Sequence, residues 1–263
     1  MIRRLLAFAL LCLALTGLTR AGEDPELAAL FAARHAEGTL VMTSLKSGRV
    51  FVHDEARAAR PVSPASTFKI MNTLISVQEG AVSGKDAVFP WDGVVRDFPS
   101  WNQDQTLASA FRVSCVWCYQ ELARKVGPAP YRKTLARIGY GRLPESFDVT
   151  TFWLDGSLTV SANTQVDILK KIYQRELPFS DRAYDTLRDI MMAERTPAYA
   201  LWAKTGWAAR MTPQIGWYVG YVEAGEDVWF FALNMDIHGE GDLPLRQQLV
   251  LSALKAKRII PDV

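Results

Sequence analysis

LWAKTGWAARMTPQIGWYVGYVEAGEDVWFFALNMDI, residues 201–237, decides the fold. Three runs inside it, LWAKTGWA, IGWYVGYVEA and DVWFFALNMDI, are rich in β-branched and aromatic residues, with turn-forming residues between them. That pattern predicts antiparallel neighbours in one sheet. Near the other end of the chain, GTLVMTSL and RVFVHDE flank Lys46-Ser47-Gly48 and read as a hairpin. Helical patterns lie between: PASTFKIMNTLISVQEG, SCVWCYQELARKVG, PYRKTLARIGYG, ANTQVDILKKIYQREL and DRAYDTLRDIMMAE. Ser63 can cap the first of these and Pro64 fits its first turn. LPLRQQLVLSALKAK is a closing helix. The expectation is an α+β fold in which both chain ends build a central antiparallel sheet and an inserted, mainly helical lobe covers it. Residues 22–62 and 196–263 would form the sheet lobe and residues 63–195 the helical one, with a ligand cleft between them.

Composition is that of one globular domain: 263 residues, 49% hydrophobic and 22% charged. MIRRLLAFALLCLALTGLTRA has two arginines, a short apolar run and then small residues, the shape of a secretory leader cleaved near Ala21. The apolar run is short for a membrane span, so no stable membrane segment is expected after cleavage. An exported, periplasmic protein follows. The formal charge of +2 owes three arginines to this leader, and the mature chain sits at about −1. Such a balance gives no electrostatic case for nucleic acid. His35, His53 and His238 are scattered without metal-ligand spacing, so no metal is expected. Cys115 and Cys118, in CVWC, read either as a local disulfide or as two free thiols.

PASTFKI, residues 64–70, places Ser66 and Lys69 at i and i+3, on one helical face. An ordinary lysine is a poor base because its pKa near ~10.4 keeps it protonated. Burial beside apolar neighbours such as Phe68 lowers that value and allows the amine to take a serine's proton. This spacing alone is frequent by chance. Lys204-Thr205-Gly206 adds a lysine and a threonine that can face an anionic ligand, and a glycine over which a substrate can lie close to the backbone. Ser114, at the start of a helical pattern, supplies a second hydroxyl.

Ser66-x-x-Lys69, then Ser114-x-Val116, then Lys204-Thr205-Gly206, in that order, resembles the serine β-lactamase and penicillin-binding superfamily. FPSWNQD, YQELARKVG, FWLDGSLTVSA, KTGW and LPLRQQL are similar to segments of its class D members, the oxacillinases, and the resemblance covers nearly the whole mature chain. It implies hydrolysis of the β-lactam amide of penicillins, with Ser66 as acylating nucleophile and no dissociable cofactor. Lys69 resembles the lysine that CO2 or bicarbonate carboxylates on its nitrogen, and Ser114 the proton relay. Val116, Phe68 and Trp153 resemble the carbamate's surroundings. Lys204, Thr205, Gly206, Trp207, Arg246 and Trp101 resemble substrate-binding positions, with the Ser66 and Trp207 N–H groups as the oxyanion hole. The chain carries no E-x-x-L-N-like loop to supply a deacylating glutamate, so Lys69 is the candidate base.

Three departures or additions accompany the resemblance. Arg142 stands where the family has asparagine, and reads as a solvated loop residue. Asp155 and Arg210 resemble a pair that closes the cleft mouth in carbapenem-hydrolysing members; if they pair, turnover extends to carbapenems. A Cys115–Cys118 bridge would stiffen the turn carrying Ser114. Two other readings share the motifs: a penicillin-binding transpeptidase or carboxypeptidase, and a β-lactam sensor that stays acylated. The expected partner is a β-lactam small molecule, and the protein is a monomer or a homodimer.

Overall fold

The computed structural model describes residues 22–262, and the expected leader lies outside them. In chain order the elements are α1 (Pro25–Ala33), β1 (Gly38–Ser44), β2 (Val50–His53), α2 (Glu55–Ala59), α3 (Lys69–Gln78), β3 (Val88–Phe89), β4 (Gln105–Thr106), α4 (Leu107–Arg112), α5 (Val116–Val126), α6 (Pro128–Ile138), α7 (Ala162–Tyr173), α8 (Asp181–Met191), β5 (Met192–Arg195), β6 (Tyr199–Ala208), β7 (Gln214–Ala224), β8 (Asp227–Ile237) and α9 (Leu245–Ala256). Six strands form one antiparallel sheet in the order β2-β1-β8-β7-β6-β5, so both ends of the chain meet at the β1–β8 pair. β3 and β4 make a separate small ribbon.

Strand periodicity sorts the core into two layers. In β7, Ile215, Trp217, Val219 and Tyr221 face the helical lobe, while Tyr218 and Val222 face the other side. In β8, Val228, Phe230 and Ala232 take the first face, and Phe231, Leu233, Met235 and Ile237 the second. Residues of α1 and α9 cover that second face, among them Leu27, Phe31, Leu249 and Val250. A sheet covered on both sides explains why these strands are apolar almost throughout rather than alternating.

α3 is the axis of the helical lobe, buried at every residue from Lys69 to Val77. Its polar side chains are paired inside, except for the Asn72 amide nitrogen. Ser76 and Tyr131 both donate to Asn72 Oδ1, at 3.0 and 2.7 Å, and Thr73 Oγ1 meets the Tyr119 hydroxyl at 2.9 Å. These bonds offset the desolvation of the hydroxyls.

Three local expectations are corrected. Ser63 is not a helix cap: its hydroxyl donates to the Trp153 carbonyl at 3.0 Å, and its own carbonyl accepts from Trp217 Nε1 at 2.8 Å. A tie between the lobes wins over a local cap. The chain after it forms a 3₁₀ turn, Ala65–Phe68, before α3 begins. The fifth helical pattern stops at Met191, because Met192–Arg195 pairs with β6. Helices α1, α2 and α4 and the β3–β4 ribbon had no counterpart in the sequence reading.

Trp217→Phe keeps the ring packing but leaves the buried Ser63 carbonyl unpaired. Its expected cost is about 1–3 kcal/mol of stability, read as a lower urea midpoint at unchanged slope.

Candidate active site

The 3₁₀ turn sets up the first pair. Ala65 holds φ +47°, a left-handed conformation that costs an alanine about 1–2 kcal/mol. The turn is over-determined by its neighbours: Thr67 Oγ1 donates to the Pro64 carbonyl at 2.7 Å, and Gln165 Nε2 donates to Thr67 Oγ1 at 2.8 Å. Ser66 faces the cleft, while Lys69, one turn on, is fully buried. Lys69 Nζ lies 3.0 Å from Ser66 Oγ and 5.1 Å from the centre of the Tyr119 ring. Burial pushes the Lys69 ammonium down to about 7 from 10.5.

A second turn presents Ser114. This residue also sits in the left-handed region, at φ +57°, between α4 and α5. Its hydroxyl accepts from Lys204 Nζ, which also donates to the Thr205 carbonyl at 2.9 Å. Burial, with Lys69 and Arg246 nearby, holds the Lys204 ammonium well below the usual lysine range. The turn is braced from two sides. Trp101 Nε1 donates to the Val113 carbonyl at 2.9 Å, and Trp117 Nε1 donates to the Trp101 carbonyl at 3.0 Å. Cys115 and Cys118, both fully buried, are joined as a disulfide at the start of α5.

The third component is the edge of β6. β5 pairs only as far as Trp202, so residues 203–208 run free of a strand partner on that side and lie against the 3₁₀ turn. Strand alternation turns Lys204 toward the helical lobe, on the side of Trp202. From the opposite face, α9 sends Arg246, which donates through Nη1 to the Gly206 carbonyl at 2.7 Å and through Nε to the Leu243 carbonyl at 2.6 Å. Burial pushes its guanidinium down to about 10, which leaves it charged at neutral pH. Two glycines make this approach possible. A Cβ on Gly206 would stand 3.0 Å from the Pro64 carbonyl oxygen and 3.2 Å from the Thr67 nitrogen. A Cβ on Gly216 would stand 2.7 Å from Arg246 Cδ.

These parts enclose a cleft of about 460 Å³. Of the residues singled out in the sequence, Ser66, Ser114, Val116, Thr205, Gly206, Trp207, Arg210, Arg246 and Trp101 line it. Lys69 and Lys204 lie behind that wall, hydrogen-bonded to its two serines. Phe68 and Trp153 lie deeper, stacked on each other with ring centres 5.8 Å apart. The Trp153 indole N–H is buried without a partner. Asp155 and Arg210 do not form an ion pair. Asp155 accepts instead from Thr151 Oγ1 and from the Ser157 N–H, each at 2.8 Å, so an Asx-type turn wins over a remote guanidinium. Arg142 is exposed, as a loop residue. Sequence reasoning missed Gln165, Gly216 and Trp117. The cleft wall contains no aspartate or glutamate.

A serine turn leaning on a buried lysine, seated against a KTG strand edge, carries the SxxK and KTG signature of penicillin-binding proteins and serine β-lactamases. The family model for the penicillin binding protein transpeptidase domain matches residues 38–255. β-Lactamase OXA-48 of Klebsiella pneumoniae is 39% identical over 239 residues, which cover 91% of this chain and 90% of that protein. Among solved structures, the class D β-lactamase YbXI from Nostoc superposes with a TM-score of 0.87 at 41% identity, covering 89% of this chain and 98% of that one. FUS-1 (OXA-85) of Fusobacterium nucleatum subsp. polymorphum superposes at 0.88 with 33% identity, covering 91% and 100%. The chain belongs to the class D β-lactamases.

Gly206→Ala places a methyl between β6 and the Ser66 turn, against the Pro64 carbonyl oxygen, the Thr67 nitrogen and Thr67 Cγ2. A fall in kcat/KM of about 100-fold is expected, against a loss of melting temperature of only a few degrees. Two assays, nitrocefin hydrolysis and thermal unfolding, separate the effects.

Proposed function

We propose that this protein hydrolyses the β-lactam amide of penicillins through an ester on Ser66, and so confers β-lactam resistance. One observation carries the reading. The only basic nitrogen within hydrogen-bond reach of Ser66 Oγ among the described residues is a fully buried lysine, held near neutrality in a cleft without carboxylates. In acylation, Ser66 Oγ attacks the lactam carbonyl and its proton passes to a base at Lys69, which carboxylation would supply; the neutral amine that CO2 requires is a large share of the population at about 7. The ring C–N bond breaks, and the leaving nitrogen takes a proton by way of Ser114, whose hydroxyl is held by Lys204. Arg246 and Thr205 bind the substrate carboxylate at the edge of β6. The Ser66 and Trp207 N–H groups stabilise the developing oxyanion.

Deacylation needs a base for water, a role that Lys69 would fill once carboxylated. Its surroundings fit such a group: the unpartnered Trp153 N–H is a ready donor, and the Phe68–Trp153 stack keeps water out. Carboxylation by CO2 would supply anionic, basic oxygens beside Ser66. Trp153 would hold them, with Val116 on the cleft wall excluding solvent. Export to the periplasm belongs to the same reading and rests on the leader; no helix among the described residues is long and apolar enough to cross a membrane. The ion pair that motivated carbapenem turnover is not formed, which leaves that expectation resting on the place of Arg210 in the cleft wall. Imipenem hydrolysis above the uncatalysed rate is its expected outcome.

Nitrocefin turnover by the mature protein should be sustained and should rise with added bicarbonate. A single burst without turnover would mark a sensor or a transpeptidase instead, and D-alanyl-D-alanine peptidase activity would tell those apart. Lys69→Ala should stall as an acyl-enzyme visible by intact mass; normal turnover in that variant would sink the assignment of the base.

The pH profile has a fixed sign. Below about 7 the Lys69 ammonium cannot accept a proton, so kcat/KM should fall by about tenfold per pH unit on the acid side and level off above it. A profile flat from pH 5 to 8 (a range of about three units around that value) would contradict Lys69 as the acceptor.

A further inference from the structure

We propose that Arg112 and Arg210 form a second anion-binding subsite in the cleft, selecting β-lactams that carry a further carboxylate on the acyl side chain. The proposal rests on the hydrolase reading above. Every ionisable side chain on the cleft wall is an arginine: Arg112, Arg210 and Arg246. Arg246 is committed, anchored by two backbone carbonyls where the carboxylate common to all penicillins would bind. The other two guanidiniums are exposed and carry no hydrogen bond or ion pair among the described residues. The acid nearest in sequence to the role of partner, Asp155, is turned into its own loop.

Charge around Arg112 favours the same conclusion. It borders a neighbouring hollow of about 470 Å³ as well, together with Lys85, Arg188 and Arg195 against Asp86 and Asp189. Lys85 takes up Asp189 at 3.2 Å, and neither that residue nor Asp86 forms an ion pair with Arg112. Its backbone is also fixed: Arg112 ends α4, and the next residue, Val113, has its carbonyl held by Trp101. A guanidinium on a braced backbone gives a forked donor that a carboxylate matches with two hydrogen bonds. Substrates with one carboxylate leave Arg112 and Arg210 to water; a dianionic substrate engages them as well. The chemistry of hydrolysis is unchanged, and only the preference among acyl side chains is set here.

Benzylpenicillin and carbenicillin test this directly, because they differ by one carboxylate on the side-chain α-carbon. In Arg112→Gln and Arg210→Gln the ratio of kcat/KM for carbenicillin to that for benzylpenicillin should fall about fivefold each, the scale of one solvent-exposed ion pair. In the wild type, added salt should lower the same ratio. A ratio unchanged in both variants overturns the proposal, as does a parallel fall for both penicillins. Failure of the wild type to turn over either compound would count against the hydrolase reading instead. The ratio of the two acylation rates, followed by intact mass, then decides the subsite by the same criterion.

Discussion

The burial of Lys69 against Ser66 is the constraint on which the site depends. An ammonium in this position faces the Tyr119 ring and is shut off from water. Holding it dry costs the fold on the order of 5 kcal/mol at neutral pH and below, the work of moving its pKa from 10.5 to about 7. The sign follows from proton counting. Between those values the unfolded chain binds more protons than the folded one, so the cost shrinks as pH rises and vanishes above 10.5. The fold tolerates this because α3 is buried along its length and its other polar groups are paired, the Asn72 amide nitrogen excepted. A basic amine beside a hydroxyl is thus bought with stability drawn from the whole helical lobe.

Everything else brings groups up to that pair at close range. The β6 edge can lie against the nucleophile turn only because residue 206 has no side chain. Arg246 can cross from α9 only because residue 216 has none. The turns carrying Ser66 and Ser114 both include a non-glycine residue in the left-handed region, Ala65 in one and Ser114 itself in the other. Each is held by hydrogen bonds from outside the turn, through Gln165 and through Trp101. Strain of this kind persists where surrounding structure over-determines it.

Local order explains what could be read from the sequence. Ser66 and Lys69 share a turn, and the Lys204-Thr205-Gly206 run belongs to one strand; spacing alone places them. The hairpin of β1 and β2 and the three C-terminal strands were legible for the same reason. Contacts that join distant segments were not. Gln165 meets Thr67 across 98 residues, and Trp217 reaches Ser63 across 154. Ser63 shows how such contacts override local rules, since its sequence context fits a cap but its hydroxyl is claimed by Trp153. Asp155 shows the reverse: a remote arginine was expected, and neighbours two and four residues away hold the carboxylate. A short polar side chain in a turn reaches its own backbone at little entropic cost, whereas a pair across a cleft must order two side chains.

The electrostatics of the cleft then follow from one asymmetry. Two buried lysines and three wall arginines converge on a cavity that has no acidic side chain of its own. Burial pushes Lys204 down, and the charges of Lys69 and Arg246 add a repulsion that any entering anion would relieve. A β-lactam brings one with its carboxylate and develops another at the carbonyl oxygen as the tetrahedral intermediate forms. The first is present in the ground state and favours binding; the second appears only on the way to the acyl-enzyme and favours catalysis. A cleft arranged with excess positive charge is therefore complementary to the reacting substrate more than to the empty site. The two lysines differ in cause: burial alone lowers Lys69, whereas Lys204 also feels the charges of Lys69 and Arg246.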